Sequence, residues 1–518
     1  MATIEVNPQL LELDVTGGRI AGTIRDGLRM WRGIPYAAPP VHDLRFRAPR
    51  PVVAWRGVRD AAHFGPVSYQ DRVGQFGTRM RSPRSEDSLT LNVIAPDEGM
   101  SEQSIDDNPG GRPVMVFIHG GAYTMGSSRE IPHLGENLVR SGGVIFVNFN
   151  YRLGALGYLD FTRYSTPERP FESNLGLRDQ VAALEWIRDN IRLFGGDPDN
   201  VTVFVESAGA NAVTTLLAVP AARGLFARAI AESSPPEAVY TSATTAEWAA
   251  DYLGMLREVL ADDETDAADL LAHSEAVDLV RAGTLLQHRM PDTIPGTIAF
   301  SPVVDGDYLP ERPVDAAMGG RTHPVPLIIG TNAREGTLFR GRLDILATTK
   351  PRIRAVFAKT EREARARLFA QYRALPRRQS AADFGGDYSF WYPSIRYAQG
   401  HATTAPVHFY RFDIATRVLK LAGFDATHGL ELFAVFDLID TPLARAASVL
   451  GGRAAFKGAG ERMRSRWLSF ARDGSVGDYW PEYSADHRAT LIIDARDRVE
   501  DDPRRERRVA WEAFIPHV

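Results

Sequence analysis

The segment Val201-Thr-Val-Phe-Val-Glu-Ser-Ala-Gly-Ala-Asn-Ala-Val-Thr-Thr-Leu-Leu217 constrains this chain more than any other. Val201, Val203, Phe204 and Val205 read as a short buried strand, the turn Glu206-Ser207-Ala208-Gly209 breaks it abruptly, and a helix-forming run follows. A serine on such a turn is pushed out of the strand with its hydroxyl exposed. The helix behind it points its positive end at that hydroxyl. The usual pattern is Gly-x-Ser-x-Gly, and here Val205 stands where the first glycine would be. By itself such a turn is a weak sign of catalysis.

Apolar runs bounded by turn signals mark buried parallel strands around this segment. They are Pro113–Ile118, Val144–Phe149, Val325–Gly330, Val407–Phe412 and Thr490–Ile493. Between the second of these and the elbow strand, Leu177, Val181, Leu184, Arg188, Ile191 and Phe194 fall at helical steps. Asn174 suits the start of that helix, and Gly195-Gly196-Asp-Pro198 suits its end. Strand, crossover helix, strand is the unit of a parallel α/β sheet. The prolines of the first hundred residues predict turns and short strands there. Two helical stretches, about 245–290 and 340–400, read as insertions into a single domain spanning 1–518. The mixed-sign run Asp501-Asp-Pro-Arg-Arg-Glu-Arg-Arg508 reads as a solvated surface segment.

Composition removes several classes of function. With 60 basic against 65 acidic residues the chain carries a net charge of −5, which gives no support for nucleic-acid binding. It has no cysteine, so disulfides, thiolate chemistry and cysteine metal sites are excluded. The N-terminus lacks the pattern of a secretory signal, and no apolar run is long enough to span a membrane. A cytoplasmic protein, monomer or homodimer, is expected.

A nucleophilic serine needs a base, an acid that orients the base, and donors for an oxyanion. The chain offers each in the order this fold uses. Upstream, after a strand, comes His119-Gly120-Gly121-Ala122, where small residues let backbone N–H groups approach a substrate oxygen. Downstream come Gly330-Thr-Asn-Ala-Arg-Glu335-Gly336 and then Asp425-Ala-Thr-His428-Gly429-Leu-Glu431. Each is ordinary by itself: a strand-end turn, a solvated glutamate, one of 12 histidines. Their joint occurrence at strand ends is far harder to produce by chance.

The chain resembles the type-B carboxylesterases, the α/β-hydrolase family that includes cholinesterases and bacterial p-nitrobenzyl esterases. Ordered segments carry the resemblance over almost the whole length. Early ones are Trp31-Arg-Gly-Ile-Pro-Tyr-Ala-Ala-Pro-Pro40, Leu44-Arg-Phe46 and Ser85-Glu-Asp-Ser-Leu-Thr-Leu-Asn92. The His119 segment follows, then Asn150-Tyr-Arg-Leu-Gly154, Asn174-Leu-Gly-Leu-Arg-Asp-Gln180 and Phe194-Gly-Gly-Asp-Pro198. The elbow, the Glu335 and His428 loops and Trp480-Pro-Glu-Tyr483 complete the series. The resemblance implies a large, mostly parallel α/β-hydrolase sheet flanked by helices. It also implies Ser207 as nucleophile, His428 as general base and acid, and Glu335 as its orienting carboxylate. The amides of Gly121, Ala122 and Ala208 would form the oxyanion hole, with Glu206 and Ser233 in a secondary polar network. No metal or other cofactor is implied.

Three departures stand out. The family's early disulfide cysteines fall at Ser68 and Ser88. The segment Tyr69 to Asp87 lacks the tryptophan that binds quaternary ammonium in cholinesterases, which argues against choline esters. Val205 adds three carbons where strand and helix come close, and crowding of that kind costs about 1–3 kcal/mol. On that ground Val205→Gly is expected to leave the fold intact and kcat undiminished. The function expected is a serine carboxylic-ester hydrolase acting through an acyl-enzyme on small to medium apolar esters. The alternatives are an impaired or non-catalytic binding protein of the same fold, and an amidase or carbamate hydrolase using the same triad. Phe390, Trp391 and Tyr392 are candidates for the acyl site.

Overall fold

A computed structural model describes residues 11–71, 82–97, 110–130, 134–339 and 344–514. A sheet of eleven strands runs through the described residues. In chain order these are β1 (Thr23–Arg25), β2 (Leu28–Pro35), β3 (Thr90–Pro96), β4 (Arg112–Ile118), β5 (Ile145–Phe149), β6 (Gly196–Glu206), β7 (Arg228–Glu232), β8 (Leu327–Asn332), β9 (Val407–Phe412), β10 (Ala489–Ile493) and β11 (Arg498–Asp501). In space the order is β11-β10-β9-β8-β7-β6-β4-β5-β3-β2-β1. The central pairs from β5 to β10 are parallel, and the outer pairs at both edges are antiparallel. The sheet is therefore mixed, with a parallel centre. All five apolar runs outside the elbow coincide with strands, within two residues at most ends.

The pleat sorts the elbow strand between two cores. Val201, Val203 and Val205 join Val114, Val116 and Ile118 on one face. Phe204 joins Met115, Phe117 and Ile230 on the other. The first face is covered by α1 (Leu175–Asn190) and α2 (Ala208–Leu216), the second by α3 (Arg453–Asp473) through Met463, Trp467 and Phe470. Asn174 does precede α1, but in the left-handed region (φ 55°), and its side chain does not cap the helix. Instead its amide bonds Val303 and Asp305, stitching the helix start to a distant loop.

The segment about 245–290 is helical over Ser242–Leu260, Ala267–His273 and Ala276–Thr293. In the second, about 340–400, residues 340–343 lie outside the described residues. Helices follow at Lys350–Val356, Arg362–Gln371 and Arg378–Gly386, then a π-helical turn at Asp387–Trp391 and a helix at Tyr392–His401. Two segments that carried the family resemblance meet in one buried ion pair. Arg152 donates to Asp179 in a fork, Nε at 2.8 Å and Nη2 at 2.6 Å, and neither side chain is more than 5 % exposed.

The expectation of a solvated run at Asp501–Arg508 holds for Asp501, Arg505 and Glu506, which are exposed, and fails for Arg504, Arg507 and Arg508. The run forms the end of β11 and the start of the helix Arg505–Glu512. Arg508 is buried against Asp502, and Arg504 and Arg507 both reach Asp387. Mixed charge here marks arginines with partners inside the fold, which a reading of local charge alone does not reveal. No helix among the described residues is long and apolar enough to cross a membrane.

Candidate active site

Ser207 sits between β6 and α2 with φ 60° and ψ −123°, a conformation that a non-glycine residue holds only when its surroundings enforce it. Its N–H donates to Glu232 O (2.9 Å) and its carbonyl accepts from Asn211 N (3.0 Å). Close approach explains the small residues around it. A Cβ on Gly209 would lie 2.3 Å from Ile118 O, so α2 can begin against the end of β4 only with glycine there. A Cβ on Gly120 would lie 2.6 Å from Glu206 O, which brings the loop after β4 onto the elbow backbone.

That loop turns through three successive left-handed residues, Gly121 (φ 112°), Ala122 (51°) and Tyr123 (58°). It is held on both sides. Tyr151 Oη donates to His119 O (2.6 Å) and stacks on the His119 ring, while Tyr123 Oη donates to Asn211 on α2 (2.7 Å). Gly121, Ala122, Ser207 and Ala208 line one cavity of about 90 Å³, and His428 lines it too.

Glu335 lies just beyond the end of β8 and His428 in the loop before the helix Leu430–Val435. His428 Nδ1 meets Glu335 Oε2 at 2.6 Å, with both side chains at most 4 % exposed. Nε2 makes no hydrogen bond and has Glu206 Oε1 at 3.1 Å. The rings of Phe390 and Phe339 flank the imidazole at 4.5 and 5.1 Å. Burial by itself would lower the histidine's pKa, but the charges of Glu206 and Glu335 outweigh it and raise the value to about 9.

Ser233, at the end of β7, ties the acids together. Its hydroxyl lies 2.7 Å from Glu335 Oε1 and 2.8 Å from Glu431 Oε1. One hydroxyl proton cannot serve two carboxylates, so one of the pair must carry a proton of its own. Burial and the charge of Glu335 push Glu431 up to about 7, against the bonds from Asn332 and Ser233, and so favour its protonated form. Glu335 is fixed further by Asn332 N, at 2.5 Å. Behind them Glu232, raised well above the usual carboxylate range by burial and by Glu431, accepts from Trp467 Nε1 at 2.6 Å.

All eight site residues expected from the sequence thus lie in one neighbourhood. Glu431, Glu232, Asn332 and Trp467 were not singled out. Glu431 and Asn332 left a trace, each lying three residues from a candidate within the His428 and Glu335 loops. Of the three aromatic candidates Phe390 lines the Ser207 cavity, Tyr392 lines an adjoining one, and Trp391 lies under the Arg504 guanidinium. Among the described residues no cluster of side chains is arranged to hold a metal ion.

Two of the departures acquire a physical reading. Ser68 and Ser88 are buried with their hydroxyls 3.0 Å apart, and Ser68 also donates to Tyr151 O at 2.6 Å. A hydrogen-bonded pair occupies the place of the family's bridge. Val205 is fully buried, and its register partner on β7 is Ala231, with Ala229 next along the same face. Its β7 neighbours are therefore small, and its side chain is part of the buried core on this face. Val205→Gly is accordingly expected to destabilise the fold by about 2–4 kcal/mol through a cavity and a freer backbone, as urea unfolding would read out. An unchanged midpoint would mean that the side chain packs against nothing. The third departure falls partly at 72–81, outside the described residues.

Comparison with known proteins agrees with this geometry. The model of the carboxylesterase family matches residues 9–511. The para-nitrobenzyl esterase of Bacillus subtilis is 37% identical over 500 residues, covering 95% of this chain and 96% of that one. A solved p-nitrobenzyl esterase structure superposes with a TM-score of 0.84 at 35% identity, covering 98% and 99% of the two chains. A carboxylesterase of Geobacillus stearothermophilus gives 0.80 at 33% identity, covering 97% of this chain and all of that one. With an elbow serine, a buried imidazole–carboxylate pair and this likeness over its length, the chain belongs to the carboxylesterase family, and its chemistry is serine-dependent hydrolysis of carboxylic esters.

Proposed function

We propose that Ser207 is the nucleophile, His428 its general base and acid, and Glu335 the carboxylate that orients the imidazole. The observation that carries this reading is the 2.6 Å contact of His428 Nδ1 with Glu335, in a histidine that lines the same cavity as Ser207. With Nδ1–H donated to Glu335, Nε2 holds the lone pair that takes the serine proton. The alkoxide attacks the ester carbonyl, and the amides of Gly121, Ala122 and Ala208 receive the oxyanion. His428 then gives its proton to the leaving alcohol, and a water activated at the same nitrogen releases the acid from the acyl-enzyme. Glu206 and Glu335 together stabilise the imidazolium that forms on the way. Ala122, Leu338, Phe339, Ile345 and Phe390 make the cavity wall apolar, which suits small to medium apolar esters.

A common acyl-enzyme has a direct test. With methanol present, aryl butyrates that differ only in their leaving group should give the same ratio of methyl butyrate to butyric acid. A ratio that follows the leaving group would overturn the mechanism.

The charge around His428 sets the pH dependence. Only the neutral imidazole can accept a proton, and its pKa is raised to about 9 in the free protein. kcat/KM should therefore climb with pH through that value. Glu206→Gln removes the larger of the raising charges, so the acidic limb should move down by about one unit or more. A limb that stays in place would separate Glu206 from the base.

A further inference from the structure

A second, larger cavity of about 300 Å³ adjoins the one at Ser207, and Pro235, Ala238 and Ile298 line both. The larger cavity's lining is part polar and holds a charged cluster. Arg312 and Arg396 each donate to Glu237, one on each carboxylate oxygen, both at 2.6 Å. Two guanidinium groups on one carboxylate leave a surplus positive charge and several N–H donors to spare. Their side chains are 32% and 35% exposed, so the remaining donors are accessible. The lining also includes Tyr240, Tyr388 and Tyr392. Tyr240 Oη accepts from Ile298 N at 3.0 Å, so its own proton is left for another acceptor. Burial raises all three phenols and keeps them protonated. The other acid in the lining, Glu512, shares Arg508 with Asp502. The cavity is thus rich in donors while its own carboxylates are already engaged.

We propose that this cavity receives a carboxylate at the far end of the substrate's acyl chain, held by Arg312 and Arg396, so that half-esters of dicarboxylic acids are preferred substrates. The proposal rests on the ester-hydrolase reading above and specifies its substrate class. An apolar acyl site without these arginines would reject such a group, because a carboxylate stripped of water needs a charged or donating partner. Hydrolysis would release a dicarboxylic acid and an alcohol.

The test compares the monoethyl esters of glutarate, adipate and suberate with ethyl esters of monocarboxylic acids of matching length, by pH-stat at neutral pH. For at least one length, kcat/KM should be higher for the charged ester. Arg312→Gln and Arg396→Gln should each lower the charged-to-neutral ratio about tenfold or more, the size of one charge-assisted hydrogen bond. In the wild type, high salt should lower the same ratio, and the free dicarboxylate should inhibit neutral-ester hydrolysis more strongly than the monocarboxylate does. Neutral esters cleaved with no preference for the charged series, ratios unchanged in both variants and equal inhibition by the two acids would overturn this site while leaving the hydrolase intact. If neither series is cleaved faster than by Ser207→Ala, the hydrolase reading itself fails.

Discussion

Ser207→Ala is expected to lower kcat/KM for p-nitrophenyl butyrate by on the order of 10⁵-fold, with the folded structure retained. The loss is large because nucleophile, base and oxyanion donors act as a unit, and without the hydroxyl no acyl-enzyme can form. The fold should tolerate the change, since the backbone bonds that set the elbow run from Ser207 N to Glu232 O and from Asn211 N to Ser207 O, and alanine keeps both. A residual rate above water would reflect binding and the oxyanion amides. Activity within tenfold of the wild type would remove Ser207 from the mechanism.

Glu335→Gln should be nearly as severe, about 10³–10⁴-fold in kcat. The shape of the side chain is conserved, but its amide nitrogen can turn toward His428 Nδ1 and favour the tautomer that carries the proton on Nε2. The serine proton then has no acceptor. The network around Glu335 sharpens the expectation. Asn332 N donates to its Oε1, and the Ser233 hydroxyl lies between it and Glu431. A glutamine that keeps its oxygen on both of those neighbours must present its nitrogen to the imidazole. KM for short esters should change little, since Glu335 does not line the Ser207 cavity. A mild loss, or one confined to KM, would indicate that another carboxylate orients the ring, with Glu206 the nearest candidate.

What the sequence made legible follows from how local each feature is. The elbow could be read because an apolar strand, a sharp turn and a small-residue helix are contiguous. Likewise the parallel strands announce themselves as apolar runs, since both of their faces are covered. The proposed triad could be read from the chain because its loops follow strands in a fixed order and the family resemblance spans the chain.

The acid network was hidden for the opposite reason. Glu232, Glu335 and Glu431 come from three distant segments that the sheet brings together, and no periodicity in the chain links them. The serine pair at Ser68 and Ser88 shows the same limit: its positions were legible, its hydrogen bond was not. The small neighbour of Val205 across the sheet, Ala231, is known only once the register is known. Arg504 and Arg507 were taken as solvated because their partner, Asp387, lies more than a hundred residues away.

Covalent labelling tests the central claim most directly. The protein is treated with a fluorophosphonate, and the adduct is located by intact mass and peptide mapping. The expected result is one adduct per chain, on the peptide carrying Ser207, formed faster as pH rises toward 9 and absent from Ser207→Ala. Stoichiometric labelling at another residue, or no labelling of a folded protein, would contradict Ser207 as a nucleophile activated by His428.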